Sequence, residues 1–285
     1  MSATAAIRLV TWGNAWLAGL VPLDDVVDGV RGPEVAHTFT FPPQDVRTGP
    51  YRPLERRGDD TTSASRRRSG PPVHSEARSS SPTLAEAVPV ALAMGELRRR
   101  GAAGLHLALP IPGDPAGFAG PPASTGTAVD AGQAAIIDGA GFALVPDLIG
   151  SGVQWAAVPA DPPTATASRA EAEREMSEQL LIAARGLAEL DVARWNPGLP
   201  AALAGPGATA VAEQLPPTMD PRRSGLIARA GRLQLALQIA LAEDGGARTL
   251  SESRRRRELL EPLERVVRRA LIAACAPDPE APGPR

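Results

Sequence analysis

The stretch QAAIIDGAGFALVPDLIGSGVQWAAV, residues 133–158, decides the fold class of this chain. It contains three short, mainly apolar runs of strand length. The runs are Gln133–Ile137, Phe142–Val145 and Val153–Val158. Glycine-rich turns at 138–141 and 150–152 separate them, and turns this short join antiparallel neighbours. The stretch therefore predicts an antiparallel meander, which belongs to an α+β fold rather than to a doubly wound one.

The residues before this meander supply further strands and helices. Three leucines alternate with His106 and Ala108, and this period of two is typical of a strand. Elsewhere, apolar side chains recur at the spacing of a helix. The predicted elements are strands at 35–41 and 105–109 and helices at 4–20 and 84–100. Together with the meander they predict an α+β domain over 1–160, built from a small antiparallel sheet with helices.

One stretch within this domain, residues 43–82, differs in composition from the rest. It holds six prolines, seven serines and eight arginines, with almost no aliphatic side chains. Such a segment cannot bury enough apolar surface to offset the entropy lost on ordering. Because apolar patterning resumes on both sides, residues 43–82 are predicted to be a disordered insertion inside the domain.

The chain after residue 167 has a helical pattern. Ser168 and Glu171 have the spacing of a capping box, and Asp220-Pro221 forms a second helix start. Helices are predicted from 168, over 200–213, from 221 and up to 274, and Pro262 would kink or restart the last of them. These predict an all-α helical bundle over 168–276, followed by a disordered tail at 277–285. Its predicted core includes Leu180, Leu187, Leu233, Leu237, Leu263 and Val267.

The composition excludes several classes of function. All 30 basic residues are arginine, so chemistry that needs a catalytic or phosphate-binding lysine is ruled out. The single cysteine permits neither an internal disulfide nor a cysteine-based zinc site. No serine has the nucleophile-elbow spacing, and no pair of histidines has the spacing of a zinc protease. The sequence therefore indicates no catalytic residue, no cofactor and no metal site.

The proline- and glycine-rich loop at 110–122 is the most distinctive segment. It follows a predicted strand that carries one of only three histidines, and it is apolar and stiff. Such a loop can present side chains to a partner, line a ligand pocket or simply cover a sheet edge. The candidate residues for a ligand or partner here are His106, Ile111, Asp114 and Phe118.

Arginine runs near the end of the chain offer a candidate anion site. The residues are Arg254, Arg257, Arg265 and Arg268, which could hold phosphates. Consecutive arginines on a helix point in different directions, however, because each residue turns by about 100°. Few aromatic side chains are available for stacking on bases, and the net charge of the chain is -2. These features argue against nucleic acid as the partner.

The N-terminal helix carries two of the four tryptophans, Trp12 and Trp16, one turn apart. The neighbouring apolar side chains predict that this helix docks as an integral part of the fold, with both rings in the core. The alternative is that one ring stays exposed as a binding anchor. Asn14, on the same helix, is expected to form a hydrogen bond to a local group.

Three segments carry a resemblance to known proteins. They are Ala6–Trp16, Pro112–Pro115 and Asp191–Trp195. In these segments the chain resembles uncharacterised conserved proteins from high-GC actinobacterial genomes, and its lysine-free composition fits that origin. The resemblance implies no activity, cofactor or site residue.

Three functions remain open at this point. The first is a soluble, cytoplasmic, non-catalytic interaction or regulatory protein with a protein partner. The second is a small-ligand-binding protein or an enzyme that uses aspartates and arginines at the strand loops. The third is an arginine-mediated nucleic-acid binder. No run reaches the roughly 20 apolar residues of a membrane span. The sequence leaves the oligomeric state open.

Overall fold

A computed structural model describes residues 4–42, 87–162, 167–190, 214–242 and 250–277. The insertion predicted at 43–82, the helix predicted at 200–213 and the tail after 277 lie outside these residues, so they stay predictions. Within the described residues, no helix has both the length and the apolar character needed to cross a bilayer.

The described residues form seven helices and six strands, and their order along the chain is that of an α+β protein with a helical C-terminal part. The elements are α1 Thr4–Leu17, α2 Leu23–Arg31, β1 His37–Thr40, β2 Val88–Pro89, α3 Val90–Arg99, β3 Gly104–Ala108, α4 Pro122–Ala131, β4 Ala134–Asp138, β5 Phe142–Ile149, β6 Gly152–Pro159, α5 Arg169–Glu189, α6 Pro221–Ala242 and α7 Leu250–Cys275.

The six strands form one sheet in the order β2-β1-β6-β5-β4-β3. Strands β3 to β6 pair antiparallel in sequence order, as the meander predicts. The prediction of a wholly antiparallel sheet is wrong at one pair, because β1 runs parallel to β6, with His37 opposite Val153. More than a hundred residues separate these strands, so no local turn fixes their relative direction. The sheet is therefore mixed, and larger than the sequence predicted.

Helix α1 lies under the sheet as part of the core. Eleven of its fourteen residues are buried. It approaches β3 closely at Gly13, where a Cβ atom would lie 2.9 Å from a methyl carbon of Leu105. The helix ends three residues earlier than predicted. The amide of Leu20 donates to the Ala15 carbonyl and that of Gly19 to the Trp16 carbonyl, with Gly19 at φ 72°. This is a Schellman end, which requires a left-handed residue.

Strand β3 is an edge of the sheet, and groups from other segments form hydrogen bonds with the backbone on its outer side. The Asn14 side-chain amide donates to the Leu105 carbonyl at 2.8 Å and accepts from the Leu105 amide at 2.8 Å. Further along, the Leu109 amide donates to the Ala116 carbonyl. These bonds protect the edge from pairing with another chain. The hydrogen bond predicted for Asn14 is present, although its partner lies 91 residues away.

In the helical C-terminal part, α5 and α6 both pack against α7. Of the predicted core residues, Leu237, Leu263 and Val267 are buried, while Leu180, Leu187 and Leu233 are partly buried. Helix α7 continues through Pro262 without a new start. Its C-terminal half packs on α1 and β3, so a single apolar core extends from the sheet into the helices.

Candidate functional site

The predicted ligand loop folds into a tight, well-bonded turn. Ile111 and Asp114 exchange both backbone hydrogen bonds, at 2.9 and 3.0 Å, around Pro112-Gly113. Gly113 has a φ of 82°, which suits the third position of a type II turn after proline. Ala116, at φ 38°, is the only residue other than glycine with a positive φ among the described residues. The loop is therefore held in one conformation by its own backbone.

A buried arginine fixes this loop to α7. The guanidinium of Arg268 donates from Nη2 to Asp114 Oδ2 at 2.8 Å and from Nη1 to the Leu109 carbonyl at 3.0 Å. The other carboxylate oxygen of Asp114 accepts from the Ala116 amide at 3.1 Å. Arg268 Nε is buried with no acceptor among the described residues. Asp114 and Arg268 thus meet in a loop clamp, although the sequence placed them in two separate candidate sites.

The other loop candidates do not converge on the clamp. Phe118 is buried against Ala128 and Ile136 on the sheet face that α4 covers, so it is not presented to a partner. Ile111 is partly exposed beside the turn. His106 is partly buried on the same sheet face as Phe118. Burial lowers the pKa of His106, and the charge of Asp138 opposes that effect.

The remaining arginine candidates stay apart from Arg268. Arg254, Arg257 and Arg265 are all exposed on α7. Arg254 and Arg265 lie on one stripe of the helix, and Glu258 and Glu261 lie between them on that stripe. Two glutamates therefore separate the two arginines of this stripe, and the four arginines do not form a single anion site.

A buried polar network, which the sequence did not indicate, joins α1 to the sheet. Arg8 is 1% exposed, and its guanidinium donates to Glu34 Oε2, to the Val30 carbonyl and to Gln214 Oε1. Trp12, on the same helix, donates from Nε1 to the Gln214 carbonyl at 2.7 Å. A charged residue inside an otherwise apolar helix was the one available signal for this network, because all the partners are distant in sequence.

The network continues from Glu34 to His37 and Trp155. Trp155 donates from Nε1 to His37 Nδ1 at 3.0 Å, so the proton of the neutral imidazole belongs on Nε2. His37 Nε2 lies 3.7 Å from Glu34 Oε2 and has no hydrogen-bond partner among the described residues. Because the side chain of His37 is fully buried, the arrangement holds the ring in place rather than offering it to a substrate.

The ionisation of Glu34 makes this network sensitive to acid. Burial raises the pKa of Glu34, but the polar contact with His37, the hydrogen bond from Arg8 and the charge of Arg8 outweigh it and lower the pKa from 4.5 to about 2. Because the pKa of Glu34 is lower in the folded state, its ionised carboxylate stabilises the fold. This stability is fully present above pH 4.5 and is lost as the pH falls towards about 2.

We expect Glu34→Gln to destabilise the protein at about pH 6 and to cost much less stability at about pH 3. Urea unfolding of both proteins at the two pH values tests this, and an equal cost at both would contradict it.

Unlike the clamp and the buried polar network, the surface formed by the end of α1 and by α3 has apolar side chains exposed to solvent. The Arg98 guanidinium carbon lies 3.9 Å from the centre of the Trp16 ring, which is partly buried. Leu20 is 55% exposed and Leu92 is 62% exposed, and a Cβ atom added at Gly95 would meet open space. These five residues define the α1–α3 surface. Of the two tryptophans predicted in the core, Trp12 is buried and Trp16 reaches this surface.

No group of three or more histidine, cysteine, aspartate or glutamate side chains within the described ranges could hold a metal ion. Cys275 is fully buried, and burial raises the pKa of its thiol to about 12, while the charge of Arg223 opposes this. Its thiol therefore lacks the thiolate character of a reactive cysteine.

Two family models match the chain. The model described as Rv1486c-like protein, N-terminal domain, matches residues 6–172, and the model described as Rv1486c-like protein, C-terminal domain, matches residues 170–272. Searches of curated proteins and of solved structures gave no match. The two descriptions state no activity, ligand or partner. The resemblance to uncharacterised conserved proteins is thereby confirmed, and the actinobacterial origin stays a prediction.

Proposed function

The chain belongs to the Rv1486c-like protein family, and we propose that it is a non-catalytic interaction or regulatory protein that binds a partner protein through the α1–α3 surface. The observation that carries this proposal is the cation–π pair of Trp16 and Arg98, together with the exposure of Leu20 after α1 and of Leu92 on α3. Tryptophan and arginine are enriched among the residues that dominate the energy of protein interfaces.

The rigidity of α1 supports the same proposal. Its other faces are buried, so Trp16 is presented by a helix that cannot reorient without unfolding the core. An anchor that is already ordered loses little conformational entropy when a partner binds. Leu20, just after α1, and Leu92, on α3, supply exposed apolar area, and covering such area with a partner is favourable.

The two other functions have less support from the described residues. A ligand site built from aspartate and arginine at the strand loops would use Asp114 and Arg268, which are already bonded to each other. A phosphate-binding stripe would use Arg254 and Arg265, which two glutamates separate along α7. Neither arrangement leaves several basic or acidic groups free to converge on a ligand.

Affinity capture with the immobilised full chain tests the proposal. The double variant Leu20→Ser/Leu92→Ser removes exposed apolar side chains from the α1–α3 surface. The matched control, Leu148→Ser/Ile149→Ser, removes two leucine-sized side chains of similar exposure, 53% and 56%, at the far end of β5. We expect wild type and control to retain a specific protein from native lysate and the first variant to lose it. Thermal melts of both variants test whether they are folded.

Two outcomes would overturn the proposal. One is a captured protein that the Leu20→Ser/Leu92→Ser variant retains in full, and the other is equal loss in the control variant. Failure of the wild-type chain to retain any specific protein counts against the proposal in the same way.

A further inference from the structure

We infer that the partner segment bound at the α1–α3 surface is acidic, with a glutamate or aspartate carboxylate on Arg98 and a neighbouring apolar side chain on Leu20 and Leu92. This inference rests on the proposed function and adds the chemistry of the partner. It starts from the charges around Arg98.

Of the three arginines at the end of α3, one has no ion-pair partner among the described residues. Arg99 and Arg100 both pair with Glu96, the nearest acidic residue on the helix. Arg98 is exposed and forms no ion pair within the described part of the chain. Glu96 thus pairs with two of three consecutive arginines, and among the described residues Arg98 is the one whose charge is left for another molecule.

The contact of Arg98 with the Trp16 ring also favours the binding of a carboxylate by its guanidinium. A distance of 3.9 Å to the Trp16 ring centre is that of a cation–π contact. A guanidinium over a ring face does not direct all of its N–H groups at the ring, and those left over can donate two parallel bonds to one carboxylate. A lysine ammonium could not donate two parallel bonds to one carboxylate, and the chain contains no lysine. Because the ring already orders the side chain, little rotamer entropy remains to be lost on binding.

The exposed side chains of α3 and of the end of α1 indicate a second feature of the partner segment, which is an apolar side chain. Leu20 lies one turn beyond Trp16, and Leu92 lies on the outer face of α3. Gly95, which lacks a side chain, lets an incoming segment approach the helix backbone between Leu92 and Arg98. The complementary segment therefore combines a carboxylate with a leucine-like side chain, which distinguishes it from a phosphate or a nucleic acid.

The probe for this inference is a labelled peptide, acetyl-Glu-Leu-Glu-Glu-Leu-Glu-amide, and its control is the peptide with glutamine at every glutamate. Fluorescence anisotropy measures binding to the full chain and to two variants, Arg98→Gln and Arg254→Gln. The two variants change the net charge equally, and both arginines are exposed. We expect the glutamate peptide to bind wild type and Arg254→Gln alike and Arg98→Gln about tenfold more weakly, the loss for one charge-assisted bond pair. The glutamine peptide should bind all three proteins weakly.

Equal binding of the glutamate peptide to Arg98→Gln and wild type would overturn the inference, as would equal binding of the two peptides or no binding at all. A wild-type dimer in light scattering that Arg98→Gln dissociates would also overturn it, because the occupant would then be a second copy. These results leave the proposed function standing if Leu20→Ser/Leu92→Ser still loses the captured protein. If that variant retains the protein, the proposed function itself fails.

Discussion

A chain that lacks residues 1–21 should show no cooperative unfolding transition. Eleven of the fourteen residues of α1 are buried, and the helix packs against α2, β3 and α7. Burial of one large aliphatic side chain contributes roughly 1.5–3 kcal/mol, and a whole domain is stable by only about 5–15 kcal/mol. Loss of Ile7, Leu9 and Val10 alone therefore removes a large part of the stability.

The deletion also breaks polar contacts that no other element can replace. Without Asn14, the amide and the carbonyl of Leu105 on the edge strand lose their partners. Without Arg8, the carboxylate of Glu34 loses the guanidinium to which it is bonded. Buried polar groups without partners cost about 1–3 kcal/mol each, in addition to the lost apolar burial.

Thermal melts followed by far- and near-ultraviolet circular dichroism measure the effect. The matched control removes residues 1–3 only, which precede α1, and it should melt as the full chain does. The truncated chain should keep helical signal, lose the near-ultraviolet signal and bind a dye specific for exposed apolar surface. A cooperative transition near the parent temperature would show instead that α1 is an accessory to the fold.

Local sequence patterns predicted the elements better than their arrangement. The meander of β4, β5 and β6 has the short apolar runs and the glycine turns that determine it, and the capping box at Ser168 and Glu171 is present. The parallel pairing of β1 with β6 was not predictable, because it depends on contacts more than a hundred residues apart. Helix α4 was missed, since Pro122, Gly126 and two threonines give it no apolar stripe.

In the candidate site, too, the sequence indicated single residues but not which of them lie in contact. Asp114 and Arg268 were both recognisable as chemically interesting, but their pairing spans 154 residues and needed the structure. The periodicity of α1 placed both tryptophans in the core. It could not show that α3 ends beside Trp16 and supplies Arg98 to its ring. Sequence patterns identify such residues one at a time, whereas a site is defined by residues that meet.

The second large effect is expected from variants of the loop clamp, the ion pair of Asp114 and Arg268. Its size depends on which partner is removed, because Arg268 is more deeply buried than Asp114. Arg268 is 3% exposed, while the Asp114 side chain is 26% exposed. Asp114→Asn keeps the shape and the acceptor for the Ala116 amide but leaves Arg268 charged and buried without a counter-ion. Breaking a buried pair in this way costs about 3–5 kcal/mol, and we expect about 3 kcal/mol because Asp114 is partly exposed.

Arg268→Met should cost less than Asp114→Asn, since the remaining carboxylate can be solvated and the methionine fills the apolar volume. The double variant should recover part of the loss caused by Asp114→Asn alone. Asp147→Asn, at an exposed position on β5, and Arg265→Met, one turn before Arg268 on the exposed side of α7, are the matched controls and should change stability by less than about 0.5 kcal/mol. Urea unfolding at neutral pH measures all five variants. If Asp114→Asn proves no more damaging than Asp147→Asn, the guanidinium of Arg268 does not depend on this carboxylate, and the loop is held by its backbone bonds alone.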